Sequence, residues 1–185
     1  MNNNEESQQT HKESDSTQYC REVERRDNAY VARNTLQALS DKEAADRLCD
    51  VPSCSSQATL LYQQSSEKLL KAFWFHQGFI PSKLKTTTCR THYLAPIVRS
   101  MDLKKSKDND DLLLWAREFD KIARVQGDWR PLCVRARYLE LDPECEILPC
   151  EIISSEMVSF AAELTQKFFD FAMPSLERVI EESNL

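Results

Sequence analysis

The sequence predicts an all-α protein, an up-and-down bundle of about five helices, and three observations support this prediction. The chain of 185 residues contains only 2 glycines, Gly78 and Gly127, and 7 prolines. Sandwiches, barrels and Rossmann units need many tight turns, so this composition favours helices joined by ordinary loops. Hydrophobic residues make up 41% of the chain, enough for the packed core of one domain. Apolar side chains also recur at helical spacing along several segments.

The N-terminal segment differs in composition from the rest of the chain. Its first 20 residues contain no Leu, Ile, Val or Phe and consist largely of Asn, Gln, Ser and Glu. Such a segment cannot bury enough apolar surface to fold. We therefore expect a disordered tail over residues 1–24 and a helical domain over residues 25–185. The first helix is predicted over residues 28–48, with Ser40 as the point where it could break.

Proline, serine and glycine residues predict where the loops and the helix ends lie in the middle of the chain. Pro52 and its neighbouring serines indicate a loop. A second helix is predicted from about residue 57 to residue 77, because Gly78 is well placed to end it. A loop rich in Pro, Ser and Thr leads to a third helix over residues 92–101, where Pro96 is tolerated near the first turn.

Two further helices complete the predicted bundle. The acidic residues between 108 and 111 favour the start of a fourth helix, which we expect to run to about residue 125. After an irregular link, the last helix is expected to begin near Ser154 or Ser155 and to reach about residue 180. Pro174 is the position at which this helix could kink.

The second helix contains the stretch "YQQSSEKLLKAFWFHQG", residues 62–78. We expect Leu61, Leu69 and Phe73 to face the core and to pack against the first and last helices, through Leu36, Phe160 and Phe168. Ser65 and Ser66 stand where large core residues would be expected, and their small side chains allow another helix to approach closely. The consecutive aromatics Phe73, Trp74 and Phe75 span about 200° of the helix. Trp74 or Phe75 should therefore contact either another helix or a second protomer.

The cysteines indicate a reducing compartment. Seven are present, an odd number, and no N-terminal apolar run resembles a signal peptide. We interpret them as reduced thiols in a cytoplasmic protein, with a nuclear location as the alternative. Cys49/Cys54 and Cys145/Cys150 have four residues between them, a loose spacing for zinc ligands without a CxxC, so no metal site is predicted. No stretch has the length of a membrane span.

The charge distribution points to a local anion site. A formal net charge of −6 argues against broad nucleic-acid binding by the whole surface. Yet the span from Lys68 to Arg99 contains six Lys or Arg and no Asp or Glu. Such a cluster attracts an anion, and the start of the third helix, near Thr91 to Tyr93, adds free N–H groups. The candidate ligand-binding residues are Gln64, Lys68, Lys71, Lys83, Lys85, Arg90, His92 and Arg137.

Plainer interpretations of the same residues remain open. Gln64, Lys68 and Lys71 are equally explained as the solvated flank of an amphipathic helix, with Glu67 pairing to Lys71 at i,i+4. Arg135 and Arg137 join the site only if the last loop folds back. They could instead be solvated or pair with Asp128 and Glu140. His92, at a predicted helix start, could be a structural cap.

Several of these segments together resemble the HEPN domain, named for higher eukaryotes and prokaryotes nucleotide-binding. The similarity lies in "YQQSSEKLLKAFWFHQG" followed by "THYL", in "RARYLE" at 135–140, and in the long final helix. It covers roughly residues 28–180. The chain departs from the family pattern at Tyr93, where Asp is usual, and at Ser65 and Ser66, where alanines are common. The resemblance implies a helical bundle and a nucleotide ligand, for which ATP or GTP are candidates.

The resemblance leaves two classes of function. One is a non-catalytic module that binds a nucleotide or other polyphosphate and that dimerises or recruits a partner, such as a nucleotidyltransferase or a chaperone-type chain. The other is an RNA-binding or RNA-cleaving enzyme that uses His92 with a nearby basic residue. Ribonucleases of the family place Arg four to six residues before His, and no Arg precedes a histidine here at that spacing. Lys is a poor replacement for the planar Arg fork, so we expect no enzyme. A helical scaffold that dimerises without a ligand is a third possibility.

Overall fold

The computed structural model describes residues 28–77, 92–101, 107–122 and 153–183. These ranges contain five α-helices, one short 3-10 helix at Pro52–Cys54 and no strand, which confirms the predicted all-α fold. The helices are α1 (28–48), α2 (Ser55–His76), α3 (Leu94–Ser100), α4 (Lys107–Ile122) and α5 (Ser155–Glu182). None of these described helices has both the length and the apolar character needed to cross a membrane. The predicted tail over residues 1–24 lies outside the described residues.

The helices follow the expected order with one difference, in α1, and the kink suggested at Pro174 stays a prediction. α1 is continuous through Ser40, so the suggested break there is wrong. Serine costs little in a helix, and the next residue, Asp41, is tied down by Gln37 Nε2 at 2.8 Å and by Lys68 of α2. α5 likewise continues through Pro174 to Glu182. Its start is capped by Ser154, whose side chain accepts the backbone N–H of Met157, as is common at helix N-termini.

The core includes the contact between α2 and α5, which is the most extensive one among the helices α2 to α5. α4 packs against both α3 and α5, and α3 also contacts α2. As predicted, Leu69, Phe73 and Phe168 are buried, while Leu61 is only partly buried at the edge of the core. The Trp115 and Phe119 rings of α4 contact the Phe168 ring of α5.

Two predicted core residues are exposed instead. Leu36 is 40% exposed and Phe160 is 38% exposed, so their assignment to the core is wrong. The buried positions of α1 include Val31, Thr35 and Ala38, which puts Leu36 about 100° away from the core-facing side. In α5 the neighbouring Val158 and Ala161 face inward, and Phe160 lies between them on the outer side.

The two serines of α2 allow close approach of two different helices. Ser65 and Ser66 are completely buried. Ser65 Oγ donates to the backbone carbonyl of Ala38 in α1 at 2.7 Å, and Ser66 Oγ lies 3.1 Å from Thr165 Oγ1 of α5. A larger side chain at either position would push a neighbouring backbone away. We call Ser65 and Ser66 the serine notch, and its role is structural: it lets α2 pack closely against both α1 and α5.

The three consecutive aromatics of α2 are covered by three different helices. The Phe73 ring packs edge to face on Phe171 of α5, with 5.3 Å between ring centroids. Trp74 is 7% exposed and its Nε1 donates to the carbonyl of Ser100, at the end of α3. The Phe75 ring packs at a tilt against the Tyr30 ring of α1, with 4.3 Å between ring centroids. Trp74 and Phe75 therefore contact other helices of the same chain. Self-association stays a prediction, but these aromatic residues no longer argue for it.

Candidate functional site

A row of polar side chains on α2 faces the segment that leads into α3. Gln63, Glu67 and Lys71 are spaced four residues apart, so they lie one above the other on the same helix face. All three belong to one contact group with His92, and we call these four residues the Glu67 cluster. Helical spacing thus lines up an amide, a carboxylate and an ammonium beside one imidazole.

Glu67 is the centre of this cluster. Its Oε1 accepts from Lys71 Nζ at 2.6 Å, and its Oε2 accepts from Nδ1–H of His92 at 3.1 Å. Both α2 side chains are largely buried, with 13% of Glu67 and 15% of Lys71 exposed, whereas 52% of the His92 side chain is exposed. Because a carboxylate only accepts hydrogen bonds, this contact puts the proton on Nδ1 when the ring is neutral. Nε2, the ring nitrogen that is not in this contact, then carries the lone pair.

Gln63 holds the same histidine from its backbone. The Gln63 side chain is 1% exposed, and its Nε2 donates to the carbonyl of His92 at 3.0 Å. Its Oε1 accepts no hydrogen bond from any described residue. The ring and the backbone of His92 are therefore fixed by two α2 residues that are one turn apart.

Lys68 belongs to a neighbouring ion pair rather than to the Glu67 cluster. Its Nζ donates to Asp41 Oδ2 of α1, and Asp41 is only 8% exposed. Lys68 itself is 31% exposed. This pair is a link between α1 and α2 at the edge of the candidate site.

The start of α3 differs from its predicted role. Its first N–H groups were expected to face a phosphate, but those of Leu94 and Ala95 donate to the two carboxylate oxygens of Asp120, at 2.7 Å and 3.0 Å. Asp120 is 6% exposed and comes from the last turn of α4. A protein carboxylate thus occupies the first two N–H groups of α3, and anion binding by the N–H groups near Thr91 to Tyr93 stays a prediction.

The other predicted site residues fall into two groups. Gln64 is half-buried on α2 and its side chain makes no hydrogen bond to a described residue, whereas that of its neighbour Gln63 does. Lys83, Lys85, Arg90 and Arg137 lie outside the described residues, as do Arg135 and Thr91. Of the predicted site residues, the structure therefore joins Lys71 and His92 through Glu67, whereas Lys68 pairs with Asp41 of α1.

The segment from Lys68 to Arg99 has acidic neighbours in the fold that its own sequence does not contain. Between Lys68 and Arg99 the chain contains no acid, yet Asp41, Glu67 and Asp120 all lie against residues of this span. Asp41 and Asp120 are more than 20 residues away along the chain, so no local pattern could reveal them. Gln63 and Glu67 are visible in the sequence, but only the helix phase and the contact with His92 distinguish them from a solvated flank.

The cluster has two chemical capabilities. When both ring nitrogens of His92 carry protons, Nδ1–H donates to Glu67 and Nε2–H can donate to an anion, while Lys71 supplies a positive charge on the same carboxylate. With a neutral ring, the same carboxylate orients the imidazole so that Nε2 can accept a proton. The first capability is that of an anion-binding site and the second that of a general base.

Comparison of the chain with protein-family models, with curated proteins and with solved structures finds no match.

Proposed function

We propose that this chain is a non-catalytic helical module that binds the phosphates of a nucleotide, or of another polyphosphate, at the Glu67 cluster. One observation carries the proposal: a single carboxylate, Glu67, holds both the ammonium of Lys71 and the ring of the half-exposed His92. When Nε2 carries a proton, it can donate to a phosphate while Glu67 holds the ring by its contact with Nδ1. The resemblance to HEPN domains is what suggests a nucleotide as the source of the phosphates.

The chain leading into His92 supports the proposal by its composition. Arg90 is two residues before His92 in the sequence. Lys83 and Lys85 precede it in the same acid-free segment. These three cations remain predicted contributors to the site. Glu67 and Asp41 neutralise the two α2 lysines, so we expect weak binding, micromolar or poorer, that decreases as salt increases.

Titration calorimetry tests the binding site. The wild-type chain should bind ATP, GTP and inorganic tripolyphosphate, and the inorganic ligand separates phosphate recognition from base recognition. We expect Lys71→Ala and His92→Ala each to weaken binding by about tenfold, since each removes a charged contact with the phosphates. Lys167→Ala is the matched control, because Lys167 pairs with Glu163 at i,i+4 and 2.6 Å, as Lys71 does with Glu67, but on α5.

Two results would refute this binding site. One is a wild-type chain that binds none of the three ligands at millimolar concentration. The other is equal affinity in the wild type, Lys71→Ala and His92→Ala. If Lys167→Ala weakens binding as much as Lys71→Ala, the effect reflects general surface charge and the proposed location is wrong.

A second candidate function is RNA cleavage with His92 as general base. It is favoured by the contact of Glu67 with Nδ1, because this contact leaves Nε2 available to take a proton from a ribose 2′-OH. Lys71 would be the nearby positive charge, although it lacks the fork of an arginine. Incubation with labelled single-stranded RNA separates the two functions. Cleavage that is lost in His92→Ala but kept in His76→Ala, an exposed histidine at the end of α2, would establish the enzyme.

Dimerisation or recruitment of a partner protein is a further part of the proposed function, and it rests on the resemblance alone. Sedimentation velocity at tens of micromolar tests the homodimer directly. A monomer throughout that range would remove self-association and leave the nucleotidyltransferase or chaperone-type partner as the form of recruitment to examine.

A further inference from the structure

A buried carboxylate replaces the missing side-chain cap of α3. Helix N-termini leave their first N–H groups without intrahelical partners, and Ser, Thr, Asn or Asp usually satisfies them from the N-cap position. Here the N-cap residue is Tyr93, whose side chain makes no capping hydrogen bond. Asp120 of α4 instead accepts the N–H groups of Leu94 and Ala95 with its two oxygens. Charge-assisted hydrogen bonds of this length are among the stronger ones in proteins.

These bonds lie next to the Glu67 cluster in the chain. His92 immediately precedes Tyr93, and its carbonyl is held by Gln63. Gln63 and Asp120 therefore fix the backbone on the two sides of Tyr93. The backbone angles at residues 92 and 93 determine where the His92 ring lies. A ring that is 52% exposed has little packing of its own to hold it against Glu67.

We infer that Asp120 is a positioning residue for His92. By holding the start of α3, it places the imidazole so that Nδ1–H meets Glu67 and Nε2 stays exposed. Asp120 acts through the backbone N–H groups of Leu94 and Ala95. It thereby couples the last turn of α4 to the cluster on α2. Its importance for ligand binding rests on the proposed function, whereas the positioning itself does not depend on any ligand.

Long-range proton–nitrogen NMR correlation of the histidine rings in the full chain tests this inference. The chain has three histidines, at 11, 76 and 92, and His→Ala variants assign their signals. In the wild type the neutral ring of His92 should be in the Nδ1-protonated form. In Asp120→Ala we expect a mixture of tautomers in which Nε2-protonated rings prevail, as in a histidine side chain without a fixed partner. We also expect faster amide exchange at Leu94 and Ala95.

The controls separate positioning from general destabilisation. Glu118→Ala removes a partly exposed carboxylate of α4 that pairs with Lys121, and the His92 tautomer should stay as in the wild type. Asp120→Asn keeps one acceptor oxygen, so it should give a smaller change, and it carries the test if Asp120→Ala does not fold. A folded Asp120→Ala or Asp120→Asn variant with the wild-type tautomer would overturn the inference.

A neutral cap provides the rescue. Tyr93→Ser places a good N-cap residue at the start of α3 without adding a charge beside His92. In the background of Asp120→Ala, it should restore both the slow amide exchange and the Nδ1-protonated ring. If exchange slows again while the tautomer stays altered, Asp120 does not act by holding the backbone, and the inference is wrong.

ATP titrations of the same variants distinguish this inference from the proposed function. A tautomer change in Asp120→Ala, combined with a wild-type chain that binds no ATP, supports the positioning and refutes the binding function. Binding of ATP by the wild type, combined with an unchanged tautomer in Asp120→Ala, does the reverse. If both hold, Asp120→Ala should bind ATP several-fold more weakly than Glu118→Ala.

Discussion

Glu67 joins two partners that sequence spacing could only half reveal. Its ion pair with Lys71 follows from the i,i+4 spacing, and that spacing alone fits the solvated side of a helix as well as a binding site. Its contact with His92, 25 residues further along the chain, changes the meaning of that pair. The sequence predicts Gln64 as a site residue, whereas the structure gives the contact to Gln63. A one-residue step turns a helix by about 100°, and only the packing determines which side of the helix faces the neighbouring segment. At this scale the sequence predicted which residue types meet, but not which of two neighbours is buried.

Tyr62 gives a pH-dependent prediction at the residue scale. It is 1% exposed, and its hydroxyl donates to Asp46 Oδ1 at 2.8 Å. Burial, and next the hydrogen bond to Asp46, raise the pKa of Tyr62 well above its ordinary value. Above about pH 10 the unfolded phenol ionises while the folded one keeps its proton, so the contribution of Tyr62 to stability is complete below that pH and is lost above it.

The corresponding experiment compares urea unfolding of two variants from pH 8 to pH 11. In the wild type, Tyr62 should make stability fall by up to about 1.4 kcal/mol per pH unit above its unfolded pKa. Tyr62→Phe should remove this part of the slope and cost about 0.5–1.5 kcal/mol at neutral pH. Tyr30→Phe, at a residue that is 40% exposed, should keep the slope. Equal slopes in the wild type and Tyr62→Phe would contradict this assignment.

Among the elements, α2 sets the arrangement because each of its sides meets a different neighbour. Ser65 meets α1, Ser66 meets α5, and Trp74 meets the end of α3. The apolar pattern predicted the existence of all five helices and the inward side of α2. It failed at Leu36 and Phe160, because α1 and α5 carry apolar residues on more than one side. The positions of apolar residues alone then do not show which side of the helix faces the core.

Overpacking the serine notch tests the close approach of the helices. Ser66→Leu should destabilise the fold by about 1–3 kcal/mol or more, since the side chain is fully buried against α5 and has no room to expand. Ser66→Ala removes only the contact with Thr165 and should cost about 0.5–1.5 kcal/mol. Gln57→Leu, at an exposed position of α2, is the control for added apolar volume. Denaturant unfolding that ranks Ser66→Leu with Gln57→Leu would show that the helices are not in close contact there.

Truncation of core and flank residues tests the helix phases. Phe73→Ala should cost about 3–5 kcal/mol, because it opens a cavity beside Phe171. Leu36→Ala, on the exposed side of α1, should stay within about 0.5 kcal/mol of the wild type. Thermal or chemical unfolding measures both. A cost below roughly 1 kcal/mol for Phe73→Ala would mean that α2 is rotated from the described position.

For the whole molecule, the fold brings acids from distant parts of the chain to a span that contains none. Asp41 reaches Lys68 from 27 residues away, and Asp120 reaches Leu94 from 26 residues away. Composition and punctuation were enough to predict an all-α bundle. They could not predict the neutralising partners of the candidate site, because those contacts depend on how α1 and α4 pack and leave no local signature.

The N-terminal composition also leads to a prediction for the whole chain. Deleting residues 2–20, which contain no Leu, Ile, Val or Phe, should leave the melting temperature unchanged within error. Differential scanning calorimetry of the full and shortened chains measures this. A drop of several degrees would mean that the segment contributes to the folded core.

The central claim, that the Glu67 cluster binds phosphates, is tested most directly by titrating the nitrogen-15-labelled chain with ATP and mapping the amide and imidazole shifts. Saturable changes should concentrate at the amides of residues 63–71 and 92–95 and at the His92 ring. The Glu163 and Lys167 region of α5, which carries an equivalent ion pair, should not respond. Absence of saturable shifts at millimolar ATP, or shifts centred away from His92, would contradict the claim.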